Sequence, residues 1–173
     1  KVCIVGIGLI GGSLAIDLKR RGFASTIIGV DSNKHHQNIA IHSGLVDKID
    51  TLENAVRKSD LIILSTPVNA NREMLPGILS MIEGTSKIVT DMGSTKAGIA
   101  AAVSNHPNRG RYVASHPMAG TEFSGPMAAI GKLFDYKHVI ICDKELSDED
   151  AIRKVIDMYN ILNMRITYMK STD

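Results

Sequence analysis

Three glycines, Gly6, Gly8 and Gly11, follow directly on the apolar run Val2–Val5, and this juncture constrains the fold more than any other stretch. Beyond it Leu14, Ala15, Ile16 and Leu18 recur at helical spacing as far as Gly22. A second apolar run, residues 26–30, then ends on Asp31. Strand, glycine turn, helix, strand and acid in this order form a βαβ unit of the kind that binds a dinucleotide. Gly6 can take the backbone angles of a tight turn, and a side chain at Gly8 would stand where a pyrophosphate must approach. Gly11 lets the helix pack closely on the strands. The backbone N–H groups of the first helical turn, at Leu9 and Ile10, then face the phosphates. Asp31 stands 20 residues after Gly11, where its carboxylate can accept from the adenosine ribose hydroxyls. The same carboxylate repels the additional phosphate of NADP, so the expected cofactor is NAD.

The remaining chain repeats the alternation of strand and helix. A helix is expected over 33–43 with Gly44 as its stop, a short strand over 45–49 and a helical turn or two over 52–57. Residues 60–67 form an apolar run suited to a strand buried on both faces, which Pro67 ends. A helix over 71–81, interrupted near Pro76-Gly77, leads to a strand over 86–91 and an alanine-rich helix, Ala97–Val103. Strands at 112–115, 137–142 and 165–169, a short helix over 127–133 and a long helix after residue 147 complete the pattern. Ser147 with Asp150 reads as a capping box for that last helix. The fold expected is a Rossmann-type, doubly wound, mostly parallel α/β sheet of about eight strands with helices on both faces.

A chain of 173 residues, 44% hydrophobic and 22% charged, suits one well-packed domain. A net charge of +2, with scattered basic residues and few aromatics, gives no platform for nucleic acid. No apolar run is long enough to span a bilayer and no leader precedes the first strand, so the expectation is a cytoplasmic protein without membrane contact. Cys3 and Cys142 lie in apolar runs and read as buried free thiols. Neither the cysteines nor the histidines have metal-ligand spacing, and no metal is expected. His35, His36 and His42 read as solvated.

Ligands of doubly wound sheets sit outside the carboxyl ends of the strands. By that rule Ser65, Thr66 and Pro67 line the cofactor, chiefly through their backbone. The turn Met92-Gly93-Ser94-Thr95-Lys96 also follows a buried strand. Ser94 or Thr95 can be a helix N-cap or a ligand contact, and Lys96 can act electrostatically or hold the turn. His116, at the end of another strand and stiffened by Pro117, is either a structural histidine or a proton acceptor suited to neutral pH. Glu122 is open between a ligand-facing carboxylate and a loop anchor. Together these strand ends could oxidise an alcohol, with His116 taking the hydroxyl proton and Ser94 orienting the hydroxyl.

Three segments, residues 6–13, 91–96 and 116–122, resemble the prephenate/arogenate dehydrogenase family, and the likeness extends over essentially the whole chain, including Leu64-Ser65-Thr66-Pro67-Val68. The histidine loop is its most specific part. The resemblance implies oxidation of a ring hydroxyl of prephenate or arogenate with NAD or NADP, loss of carbon dioxide and formation of an aromatic product in tyrosine biosynthesis. It implies that His116 accepts a hydrogen bond from the ring hydroxyl and that Ser94 contacts the same hydroxyl and the nicotinamide. Thr95, Lys96 and Glu122 then belong to the substrate pocket, and Asp31 recognises ribose. Family members continue into a helical domain that forms a homodimer and binds the substrate carboxylates. This chain reads as the cofactor domain alone, residues 1–173, expected to be inactive by itself. Two rivals differ in kind. A beta-hydroxyacid dehydrogenase relative would lack the histidine loop, and a nucleotide-binding module without chemistry would tolerate replacement of Ser94 and His116.

Overall fold

A computed structural model of the chain describes residues 1–119 and 123–173. Among these residues eight strands form one sheet: β1 (Val2–Val5), β2 (Ile27–Val30), β3 (Lys48–Ile49), β4 (Leu61–Leu64), β5 (Ile88–Asp91), β6 (Tyr112–Pro117), β7 (His138–Cys142) and β8 (Arg165–Met169). Their order is β3-β2-β1-β4-β5-β6-β7-β8, parallel through β6. β7 runs antiparallel to β6, and β8 runs parallel to β7. Helices α1 (Leu9–Arg20), α2 (Lys34–His42), α3 (Leu52–Lys58), α4 (Val68–Met81), α5 (Ala97–Val103) and α6 (Glu149–Ile161) cover both faces. This is the expected Rossmann-like architecture.

Alternation along β1 divides the core. Val2 and Ile4 pack with Leu14 and Leu18 of α1 and with Val155, Met158 and Tyr159 of α6. Cys3 and Val5 pack on the other face with Leu75, Ile78 and Leu79 of α4 and with Ile99 and Val103 of α5. All four β1 residues are buried, as a central strand covered on both faces requires. Burial pushes the Cys3 thiol up to about 12, so it stays protonated and inert. Among the described residues, no helix is long and apolar enough to cross a membrane.

Three local expectations are corrected. α4 runs from Val68 to Met81 without interruption, with Pro76 inside it. Proline removes one N–H and disfavours a helix interior, but burial of Leu75, Ile78 and Leu79 on the sheet carries the helix through. Residues 127–133 are not a helix beyond the short 3₁₀ turn Pro126–Ala128. Instead Ser13 accepts from the Ile130 N–H at 3.1 Å, and the buried Asp17 carboxylate accepts from the Lys132 N–H at 3.0 Å. These bonds hold the segment on α1, with Lys132 left-handed at φ 64°. Ser147 does not cap α6 either. Its hydroxyl donates to the Tyr112 carbonyl at 2.6 Å, and Asp148 takes the N-cap position without a side-chain cap bond.

Candidate functional site

The carboxyl ends of the central strands are tied side by side. Gly6 N–H donates to the Val30 carbonyl at 2.7 Å, Ser65 N–H to Val5 at 2.8 Å, and Met92 N–H to Leu64 at 2.9 Å. Three turns expected to meet a ligand are therefore neighbours. Gly6 has φ +91°, and a side chain there would meet Thr66 and Ser65 at 2.8–2.9 Å. A Cβ on Gly11 would lie 2.1 Å from the Gly6 carbonyl oxygen and 2.7 Å from Ser65 Oγ. At Gly8, the N-cap of α1, nothing among the described residues lies within 4 Å of the missing side chain, and none of their side chains caps the helix. Leu9 and Ile10 form its first turn beside that open space. The arrangement leaves room and donors for a diphosphate.

Asp31 extends from the end of β2 back to this turn. Its Oδ2 accepts from the Ile7 N–H at 2.9 Å and its Oδ1 from the Asn33 N–H at 2.9 Å. A cleft of about 620 Å³ opens beside it, lined by Val30, Asp31, Gln37, Ile49, Asp50 and Thr66 among others. Thr66 also lines a second cleft, of about 420 Å³, with Ile10, Ser65, Pro67, Met92, Ser94 and His116. Ser94 and His116 in turn line a third cavity, of about 330 Å³, with Thr95, Lys96, Ile140, Cys142 and residues 169–173. The three spaces run in series, joined first by Thr66 and then by Ser94 and His116.

Individual side chains refine this picture. The Ser65 hydroxyl lies 2.7 Å from the Gly6 carbonyl and 2.9 Å from that of Val5, so it braces the glycine turn from below. Thr66 bonds through its hydroxyl to Asn71, and Pro67 occupies the N-cap of α4. Lys96 lies in the cavity wall, but its ammonium is turned onto the Asp91 carboxylate, and its side chain is only 4% exposed. Asp91 is itself fully buried. It accepts from the Tyr112 hydroxyl at 2.6 Å and from the Gly93 N–H at 3.1 Å. Ser94 and Thr95, exposed, project from the turn thus fixed. His116 is half-buried on β6. Burial first, and the nearby Lys96 ammonium second, lower its pKa from the usual 6.5, which favours a neutral imidazole. Glu122 lies outside the described residues.

Sequence reasoning missed the support beneath these groups. Asp91, Tyr112 and Gly93 fix the Lys96 turn. Ser115 Oγ lies 2.8 Å from Thr90 Oγ1 and 2.6 Å from the Tyr159 hydroxyl, locking β5, β6 and α6 beneath His116. An acid ending a buried strand was the one available signal, as it is at Asp31. Among the described residues, no group of His, Cys, Asp or Glu is arranged to hold a metal ion.

A groove beside the glycine turn, leading to a hydroxyl and an imidazole that line one cavity, fits an oxidoreductase-like, nucleotide-binding domain. The family model described as "Prephenate dehydrogenase, nucleotide-binding domain" matches residues 14–168, and the chain belongs to that family. It is 29% identical over 167 residues to the prephenate dehydrogenase of Lactococcus lactis subsp. cremoris, covering 95% of this chain and 47% of that protein. The crystal structure of Aquifex aeolicus prephenate dehydrogenase with hydroxyphenyl propionate and NAD+ superposes with a TM-score of 0.85 at 30% identity, covering 99% of this chain and 60% of that one. Synechocystis arogenate dehydrogenase gives a TM-score of 0.88 at 28% identity, with 99% and 60% covered. The chain thus spans about half the length of the curated relatives it matches.

Proposed function

We propose that this chain is the NAD-binding domain of an enzyme that oxidises and decarboxylates prephenate to 4-hydroxyphenylpyruvate in tyrosine biosynthesis. The observation that carries the reading is the shared wall: Ser94 and His116 line both the cleft that continues from the glycine turn and the cavity beyond it. A cofactor in the first and a small substrate in the second would meet across one hydroxyl and one imidazole. NAD fits the residues of the groove. The space at Gly8 and the uncapped α1 terminus suit its diphosphate, and the Asp31 carboxylate suits its adenosine ribose. When bound, NAD supplies the two-electron oxidant.

The chain's own residues handle position and proton. His116, its pKa lowered by burial and by Lys96, accepts the proton of the substrate hydroxyl at a ring nitrogen. Ser94 hydrogen-bonds the same oxygen and fixes its direction. Lys96, held on Asp91, fixes the turn that presents Ser94 and Thr95 in the pocket wall. Thr95 stands in that wall, and the family resemblance alone gives Glu122 the role of a substrate-pocket carboxylate. The reading includes a helical domain elsewhere in the protein that binds the substrate carboxylates and forms a homodimer, and a cytoplasmic location. Arogenate is the second reading, supported by the likeness to the Synechocystis arogenate dehydrogenase.

The test is an assay of the full-length protein with prephenate and with arogenate in the presence of NAD. Turnover of one of them, reduced about 10²–10⁴-fold by His116→Asn with NAD affinity unchanged, is the expected result. Oxidation of neither substrate, or undiminished turnover by His116→Asn, would overturn the proposal.

A further inference from the structure

Alternation along β6 sends Val113 to the α6 side of the sheet and Tyr112 and Ala114 to the α5 side. Ser115 follows Val113, and His116 follows Ala114 into the cavity wall. Tyr159, on α6, is fully buried and reaches the strands from the face opposite that cavity. Its hydroxyl lies 2.6 Å from Ser115 Oγ and 3.5 Å from Met92 Sδ. Ser115 immediately precedes His116, and Met92 stands two residues before Ser94. One hydroxyl therefore touches both strand ends that carry the imidazole and the hydroxyl of the site. The β5–β6 ladder stops at Asp91 and Ala114. Met92 and Ser115 are the first residues beyond it, and Tyr159 bonds there.

The protons of this network can be placed. Ser115 Oγ also lies 3.0 Å from the Asp91 carbonyl and 2.8 Å from Thr90 Oγ1, and Thr90 Oγ1 lies 2.8 Å from the Val113 carbonyl. Thr90 and Ser115 each carry one hydroxyl proton. With the Thr90 proton on Val113 and the Ser115 proton on Asp91, both carbonyls are satisfied and the Tyr159 hydroxyl donates to Ser115. Burial pushes the Tyr159 phenol up, so it keeps the proton that this bond needs. Thr90, Asp91, Ser115 and Tyr159 are all fully buried, so water does not take the place of the phenol.

We infer that Tyr159 is a positioning residue for the oxidation: by bonding the ends of β5 and β6 it sets the spacing between Ser94 and His116. The inference rests on the reading that these two side chains act on one substrate hydroxyl. Two groups that must meet one oxygen tolerate little change in their separation, and a misplacement of about 1 Å can cost about 10²-fold in rate. Tyr159 itself lies across the sheet from the cavity and acts only through Ser115 and Met92.

Steady-state kinetics of the full-length protein with NAD and with prephenate or arogenate, whichever the wild type oxidises, test the inference. Tyr159→Phe removes one oxygen and keeps the ring in the core. It should lower kcat about 10-fold, with KM for the substrate and the affinity for NAD held within about 2-fold. Ser115→Ala should also lower kcat, and the double variant should be no slower than Ser115→Ala alone, because both changes remove the same bond. Val155→Ala, on the same helix, removes buried apolar volume and no hydrogen bond. It should lower the melting temperature yet leave kcat unchanged when assayed well below that temperature. Undiminished kcat in Tyr159→Phe, additive losses in the double variant, or an equal loss of kcat in Val155→Ala would overturn the inference alone. Should Tyr159→Phe not fold, Ser115→Ala decides, and undiminished kcat there overturns the inference. Failure of the wild type to oxidise either substrate would overturn the functional reading and the inference with it.

Discussion

The Lys96 ammonium is buried against the Asp91 carboxylate in the wall of the cavity that Ser94 and His116 share. Burial lowers the pKa of Lys96, while Asp91 opposes the shift and keeps the ammonium in place. The pair joins the end of β5 to the start of α5, so the turn bearing Ser94 and Thr95 is fixed at both ends. The Tyr112 hydroxyl, from β6, closes the arrangement on the second carboxylate oxygen.

Asp91→Asn leaves a buried ammonium without its counter-charge. A loss of about 3–5 kcal/mol in unfolding free energy is expected. Tyr112→Phe removes one hydrogen bond to a charged acceptor and should cost about 1.5–3 kcal/mol. Urea denaturation followed by circular dichroism measures both. Near wild-type stability for Asp91→Asn would show that the Lys96 turn does not depend on the pair.

His116 should titrate below 6.5 in the folded chain, because burial and Lys96 both disfavour its protonated form. Lys96→Met removes the positive neighbour and should move the midpoint upwards, as read from the imidazole resonances by NMR. The sign for stability follows. With a folded value below the unfolded one, the unfolded chain binds more protons as the pH falls below 6.5. The contribution of His116 to stability is therefore present above that pH and is lost as the pH falls through the lowered folded value. An unmoved or lowered midpoint in Lys96→Met contradicts the assigned coupling.

Gly8 and Gly11 separate binding from packing. Gly11→Ala places a methyl 2.1 Å from a backbone oxygen, which requires the helix to shift, and should destabilise the chain by about 1–3 kcal/mol. Gly8→Ala meets nothing within 4 Å among the described residues and should change stability by less than about 1 kcal/mol while weakening NAD. Thermal melts paired with NAD titrations distinguish the two. Equal loss of stability in both variants would remove the case for an open diphosphate site at Gly8.

Asp31→Ala removes the charge that rejects a 2′-phosphate along with an acceptor for the ribose hydroxyls. NAD should bind roughly 10-fold more weakly, by the loss of a charged hydrogen bond, and the preference over NADP should narrow. Titration with each cofactor reads both effects, and an unchanged preference would show that another group selects the cofactor.

The glycine turn, Asp31 and the Ser94 and His116 strand ends were legible because each is signalled within a few residues of sequence. Strand apolarity, glycine spacing and a polar residue at a strand end are local features, and the sheet order places such ends together. What was not legible depends on pairing across the sheet. Asp91 meets Tyr112 only through the β5–β6 register, in which Val89 lies opposite Tyr112. The failed helix at 127–133 shows tertiary bonds to Ser13 and Asp17 prevailing over local apolar spacing. Pro76 shows the converse, with burial carrying a helix through a residue that locally disfavours it. His36 is five residues from Asp31, but only the Asn33 cap and the entry of α2 turn it onto that carboxylate.

The most direct test of the central claim is an NMR titration of the 173-residue chain with NAD. The account predicts saturable shifts in the amides of Gly6, Gly8, Leu9, Ile10 and Gly11 and at Asp31 and Thr66, extending to Ser94 and His116. An absence of shifts at the glycine turn and Asp31 at saturating NAD would contradict it.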